Sequence, residues 1–276
     1  MTKKEINSGL EDGPNGYHKL SIQVSLNGLS FCVLDTIANS LVHSHSRVFE
    51  KEMSPFNLHK IIRDDFEEKG ILDYAYSEII SIHRNTLFTL VPMPLFDPDH
   101  LANYLKFNAK ILGTDHLDYD PIQGLDSANV YVPFANVNNY LFDTFGAFEF
   151  KHSGTVLLET LIKLPSSRQG TLAYVHIAES QMDLAVFSNK KLLFYNSFVF
   201  SSPEDIMYFL LFTIEQLELD PETLKLRLLG EVTAGDRIYE LCTEYLENVS
   251  LFVPPDSSLA YAVDANGIDF TLINAL

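Results

Sequence analysis

Apolar and polar residues alternate strictly along Leu20-Ser-Ile-Gln-Val-Ser-Leu26, the period of a strand with one buried face. Asn27-Gly28 follows, a pair that tolerates positive φ, so a hairpin is expected with residues 29–34 as its return strand. A third strand is read at 40–49. Ser54-Pro55 then has the form of an N-cap with proline at the first helical position. Leu58, Ile61, Ile62 and Phe66 line one face of the helix that follows.

The same order returns later in the chain. Residues 172–177, 182–187 and 192–200 read as three strands, and Ser202-Pro203 opens a helix with Ile206, Leu210, Ile214 and Leu217 along one side. The two three-strand runs, 20–49 and 172–200, match in length to within one residue, and each ends in Val-Phe. Recurrence of a whole element order at fixed length argues for an internal duplication.

Each half continues by alternating strands and helices. In the first, strands are expected at 78–83 and 86–91, then a helix opened by Asp97-Pro98. A polar loop at 113–128, a strand at 130–134, a helix at 137–145 and a joining helix at 153–164 follow, with a hinge-like linker at 165–170. In the second, 224–229 is a buried strand. Thr233 caps a helix carrying Ile238, Leu241, Cys242 and Tyr245, and a last strand at 249–253 precedes Pro254-Pro255. Residues 1–17, polar and containing Gly9, Gly13, Pro14 and Gly16, read as a flexible leader. That leaves a first lobe at 18–165 and a second at 166–276, in an α/β fold with mixed sheets covered by helices.

Composition narrows the choice of function. The 276 residues carry 37 Asp+Glu against 19 Lys+Arg, a net charge of −18, which repels phosphate backbones and argues against a nucleic-acid partner. Thirteen glycines are few for a chain that must wrap phosphates. The longest apolar stretch, 206–214, is far short of the ~20 residues that span a bilayer. No apolar run follows the basic residues near Met1, so neither membrane insertion nor secretion is expected and the compartment is read as cytoplasmic. Cys32 and Cys242 lie far apart among apolar residues and are read as core fillers.

The repeated β-β-β-α-β-α-β unit resembles the actin-like ATPase superfamily, whose duplicated ribonuclease-H-like βββαβαβα lobes flank an interlobe cleft. His176-Ile-Ala-Glu-Ser-Gln-Met-Asp-Leu-Ala-Val-Phe187 resembles that superfamily's second phosphate hairpin, and Leu228-Leu-Gly-Glu231 its Gly-Gly adenosine motif. Val24-Ser-Leu-Asn-Gly28 sits where the first phosphate hairpin would lie. Leu90-Val-Pro-Met-Pro-Leu-Phe96 resembles a bacteroidete family of unknown function with an actin-like fold.

What the resemblance implies for the site lies chiefly in its departures. The superfamily places an Asp in each hairpin to hold Mg²⁺, and a nearby Gly to admit phosphate. Here Ser25 takes the first Asp position and Asn27 its Gly, with Gly28 adjacent. His176 takes the second Asp position and Ala178 its Gly. Glu231 replaces the second adenosine glycine, and only Asp183 and Gly230 keep their expected identities. A hard dication prefers oxygen ligands to imidazole. A single electrostatic donor at a reacting centre is worth about 2.7–4 kcal/mol, so loss of both metal-holding acids predicts no useful ATP turnover, no catalytic residue and no ATP or Mg²⁺ cofactor.

Other constellations read as structure. His43 and His45 share one face of a strand without a third metal ligand nearby, and an exposed strand face is favoured. Asp115-His-Leu-Asp-Tyr-Asp120 lacks the Gly and closing Glu of a calcium loop and reads as a solvated acidic loop. Asp97-Pro-Asp-His100 reads as a capped helix start, and His176 with Asp183 as a pair left inside the cleft. The sequence favours a non-catalytic binding or scaffold module with a protein partner. Two alternatives stand beside it: an ATP-dependent enzyme holding metal through Asp35, Asp183 or Glu231, and a small-molecule binder using the cleft.

Overall fold

The computed structural model describes residues 16–164, 170–252 and 269–276. Most of the expected linker, most of the leader and Pro254-Pro255 lie outside the described residues. The chain divides into two compact units; the boundary falls near residue 157, residues 123–125 belong to the second unit, and residues 269–276 to the first.

In the first unit, β1 (His18–Val24), β2 (Gly28–Asp35) and β3 (Ser40–Val48) form an antiparallel meander. After α1 (Leu58–Glu68), β4 (Tyr76–His83) lies parallel to β1. A small antiparallel sheet then intervenes: β5 (Phe88–Pro92), α2 (Leu101–Leu105), β6 (Asp118–Pro121) and β7 (Ser127–Tyr131), in strand order β5-β7-β6. Helix α3 (Ala135–Phe145) leads to β8 (Glu149–His152), parallel to β4, and then to α4 (Ser153–Lys163). The main sheet has the order β3-β2-β1-β4-β8.

The second unit repeats the plan. Strands β9 (Thr171–Ala178), β10 (Gln181–Ser188) and β11 (Lys191–Val199) form the meander. Helix α5 (Pro203–Gln216), β12 (Lys225–Gly230), α6 (Arg237–Tyr245) and β13 (Asn248–Leu251) complete the order β11-β10-β9-β12-β13. Among the described residues, no helix is long and apolar enough to cross a membrane.

The duplication extends to single rungs of the ladders. Both meanders shift register at the sixth and seventh residues of the middle strand, between Val33 and Leu34 and between Val186 and Phe187. Each shift leaves one extra residue at the third position of the edge strand, Val42 or Leu193, and both are exposed to nearly the same degree, 45% and 46%. A bulge is a built feature of a ladder, and its return at the same rung is hard to reconcile with independent origins.

The central strands are buried on both faces because helices cover the sheets. In the first unit Leu20, Ile22, Val24, Phe31 and Val33 have no exposed surface, and α1 packs Leu58, Ile62 and Phe66 inward. Phe66 meets Phe31 edge-on at 5.2 Å. In the second unit Val175, Leu184, Ile206, Leu210, Leu226, Leu228 and Cys242 share one core. Each such large apolar side chain contributes about 1.5–3 kcal/mol of transfer free energy.

Several local expectations need correction. The first hairpin turns at Leu26 and Asn27, closed by the Ser25 N–H donating to the Gly28 carbonyl at 3.0 Å, and neither Asn27 nor Gly28 has positive φ. Ser25 Oγ instead stabilises the turn by accepting the Asn27 N–H at 3.0 Å. Ser54 and Thr233 do not cap helices. Each begins a tight turn, accepting at its carbonyl from Asn57 N–H (2.9 Å) and Asp236 N–H (3.1 Å), and the helix starts after that residue. Ser202 does cap α5, in a reciprocal pair with Asp205. Strands β6 and β8 were not expected.

The last described segment also departs from the expected second lobe. Helix α7 (Phe270–Asn274) packs on β1 and β2 of the first unit. Leu272 joins Cys32, Ile82 and Val156 in a buried cluster, and Lys19 Nζ donates to the Leu276 carbonyl at 3.2 Å.

Candidate functional site

On β10, Asp183 is buried to within 1% of its surface. Its Oδ1 accepts from the Ser197 hydroxyl, from the Tyr195 hydroxyl at 3.3 Å and from Gln181 Nε2 at 3.3 Å. Its Oδ2 lies 3.3 Å from His176 Nδ1 on the neighbouring strand, and His176 has no exposed surface. Alternation puts Tyr195 and Ser197 on the face of β11 that meets Asp183. A carboxylate offers about four lone-pair positions, and internal partners use them here.

The turn after β9 brings three further positions together. Ala178 is buried and pairs with Gln181 across the turn. Glu179 holds φ of 57°, a left-handed conformation rare outside glycine. Its N–H donates to Glu231 Oε2 at 3.0 Å. Glu231 is placed for this by Gly230, whose φ of 89° and close approach admit no other residue: a Cβ there would sit 2.0 Å from the Ile177 carbonyl oxygen.

In the first hairpin Ser25, Asn27 and Gly28 are used by the turn itself. The rung pattern alters which positions correspond. Counted from the bulges, Ser25 matches Ala178, and His176 matches Gln23 rather than Ser25. Likewise Ser30 matches Asp183 and Ser46 matches Ser197, and the Ser30 and Ser46 hydroxyls meet at 3.2 Å. Gln23 is buried, and its Oε1 contacts the Thr271 hydroxyl of α7. Nearby, the buried Arg84 donates its N–H to the Val24 carbonyl at 2.9 Å, and its guanidinium lies 3.8 Å from Asp269. Gln23, Gln181, Ser197 and Thr271 were missed. Extending the duplication residue by residue would have exposed Gln23 as the counterpart of His176 and Gln181 as the counterpart of Gly28, whereas Ser197 and Thr271 left no such signal.

The remaining candidates settle into structure. Asp35 accepts the N–H groups of Ala38 and Ile37, at 2.9 and 2.8 Å, and these hold its carboxyl below the ordinary range. His43 and His45 are half-buried against Phe31 rather than exposed. His43 Nε2 lies 3.2 Å from the Lys69 carbonyl and His45 Nε2 3.5 Å from Asp65, which also takes Arg47 at 2.6 Å. Asp120 is not solvated: it accepts the His152 N–H at 2.8 Å and the Thr155 hydroxyl at 2.7 Å. Asp97 caps the turn ahead of α2, as expected. Among the described residues no three His, Cys, Asp or Glu side chains gather as a metal site.

A meander followed by two parallel strands, twice over, with helices between, defines the actin-like ATPase fold. A protein of that fold and unknown function from Bacteroides thetaiotaomicron superposes with a TM-score of 0.76 at 21% identity, covering 86% of this chain and 91% of the other. The structure titled "PilM-PilN type IV pilus biogenesis complex" matches at a TM-score of 0.58 and 13% identity, covering 89% of each chain. No curated protein is significantly similar. The chain belongs to the family described as "Protein of unknown function (DUF3822)", which matches residues 12–249.

Proposed function

We propose that this chain is a non-catalytic, cytoplasmic member of the actin-like ATPase fold that works by binding another protein. The observation that carries the reading is Asp183: the one acid kept from the nucleotide pattern is buried and bonded to Ser197, Tyr195 and Gln181. Magnesium needs oxygen lone pairs turned toward it, and this carboxylate spends its own on neighbours. The rung opposite carries an imidazole in one hairpin and an amide, Gln23, in the other, neither a match for a hard dication. At the second turn the Glu179 N–H, which a phosphate oxygen would take, already bonds Glu231. These donor sets do not fit a magnesium nucleotide.

Support for a protein partner comes from the fold relative solved as a two-protein complex. The reading is tested by thermal unfolding with millimolar Mg²⁺-ATP and by affinity capture from native cells. A ligand at 100 times its Kd stabilises by about 2.7 kcal/mol. The expected result is no shift in Tm, together with a reproducible protein partner. A Mg²⁺-dependent shift accompanied by phosphate release would overturn it in favour of an ATP-dependent enzyme.

A further inference from the structure

We infer that the outer face of α5 is a docking ridge for a basic amphipathic segment of another protein. The inference rests on the binding-module reading and names the kind of partner. Helix α5 buries Ile206, Met207, Leu210, Thr213 and Ile214. Its opposite face carries Tyr208 and Phe212, 64% and 50% exposed, one turn apart with rings stacked 6.1 Å between centroids. The pair is anchored from below: Tyr208 meets Phe209 edge-on at 5.5 Å, and Phe209 stacks on Phe198 of β11 at 4.4 Å. Aromatic rings held in place this way lose little entropy on binding, and Tyr is over-represented among the residues that dominate interface energy.

Charge decides the occupant. Glu204 lies one turn before Tyr208, and Glu215 one turn after Phe212. Helices α5 and α6 together carry Glu204, Asp205, Glu215, Glu240 and Glu244 against the single cation Arg237, which sits 3.6 and 3.2 Å from Glu240 and Glu244. An apolar ridge with acidic ends is complementary to apolar anchors flanked by Lys or Arg. A second copy, at a net charge of −18, brings the wrong sign, as does an anionic lipid surface.

The test is fluorescence anisotropy with a labelled amphipathic helical peptide of Leu and Lys, about 18 residues or five turns long, and a matched peptide with Glu for Lys. The Lys peptide is expected to bind and the Glu peptide to fail. Tyr208→Ala with Phe212→Ala, which leaves the charge unchanged, should weaken binding at least about tenfold. Glu204→Gln with Glu215→Gln should weaken it and flatten its salt dependence. Phe107→Ala, which removes an 82% exposed ring from the first unit, should change nothing. Equal binding by the double aromatic variant, or equal binding of the Glu peptide, overturns the inference. So does a wild-type dimer that this variant dissolves in sedimentation. If a natural partner is captured equally by wild type and the aromatic variant, the ridge is wrong and the binding-module reading stands.

Discussion

Gln23 and His176 occupy the same rung of the two hairpins, each two residues before the pair that closes the turn. If His176 marks the acid position of the second hairpin, the duplication sets the first acid position at Gln23. Both side chains are buried and engaged, Gln23 with Thr271 and His176 with Asp183. Two rungs that could have faced a ligand have been turned into cross-links inside their own units.

Thr271→Val keeps the shape of the side chain and removes its hydroxyl, leaving Gln23 Oε1 without that donor. Loss of a buried hydrogen-bond partner costs about 1–3 kcal/mol. Denaturant unfolding should show that loss, and hydrogen exchange should show faster exchange at residues 270–274 before the β1 core is affected.

Gly230→Ala should be among the most damaging single-methyl additions in the chain. A residue with a Cβ held at φ of 89° stores about 1–3 kcal/mol of backbone strain, and the clash with the Ile177 carbonyl adds to it. Chemical denaturation is expected to show a destabilisation at or above that range, whereas Gly113→Ala, where no described residue lies within 4 Å of the added carbon, should be nearly silent.

Burial pushes the thiols of Cys32 and Cys242 up to about 12. Since the thiolate is the reactive form, neither should label with iodoacetamide at pH 8 in the folded chain. Both should label in denaturant, as read by intact mass.

The α5 cap gives a pH dependence. The Ser201 N–H, followed by the N–H and hydroxyl of Ser202, holds Asp205 below its ordinary carboxylate value of 3.8. A group with a lowered folded value stabilises fully above its unfolded value and loses that contribution as pH falls through the folded one. Asp205→Asn should therefore lower Tm at pH 7, and the gap from wild type should close in melts recorded at pH 3 and below.

Much of the fold was legible. The strict alternation at 20–26 and the Ser202-Pro203 start both point to elements that formed there, although the alternation marks the strand and not its exposure: Ser21, Gln23 and Ser25 are buried along with the apolar face. The missed strands β6 and β8 have four residues each, too short to show a period, and Asp120 and Lys151 look like loop residues until their partners are known. Ser54 and Thr233 misled for a shared reason: a turn and an N-cap favour the same side chains, and only the carbonyl bonds tell them apart. The site was half legible. Its residue types are visible in the sequence, but what occupies them is not, since the Thr271 contact to Gln23 spans 248 positions. No periodicity reaches that far.

The paired bulges carry a consequence for how the chain keeps to itself. A long outermost strand offers a row of unused amides to any similar strand, the usual seed of sheet-to-sheet stacking between molecules. Val42 and Leu193 interrupt that row at the third residue of each outer strand and add local twist, so another chain would find only short runs of straight backbone to zip against. Deleting either residue would straighten its edge, and the expected penalty is loss of solubility before loss of fold.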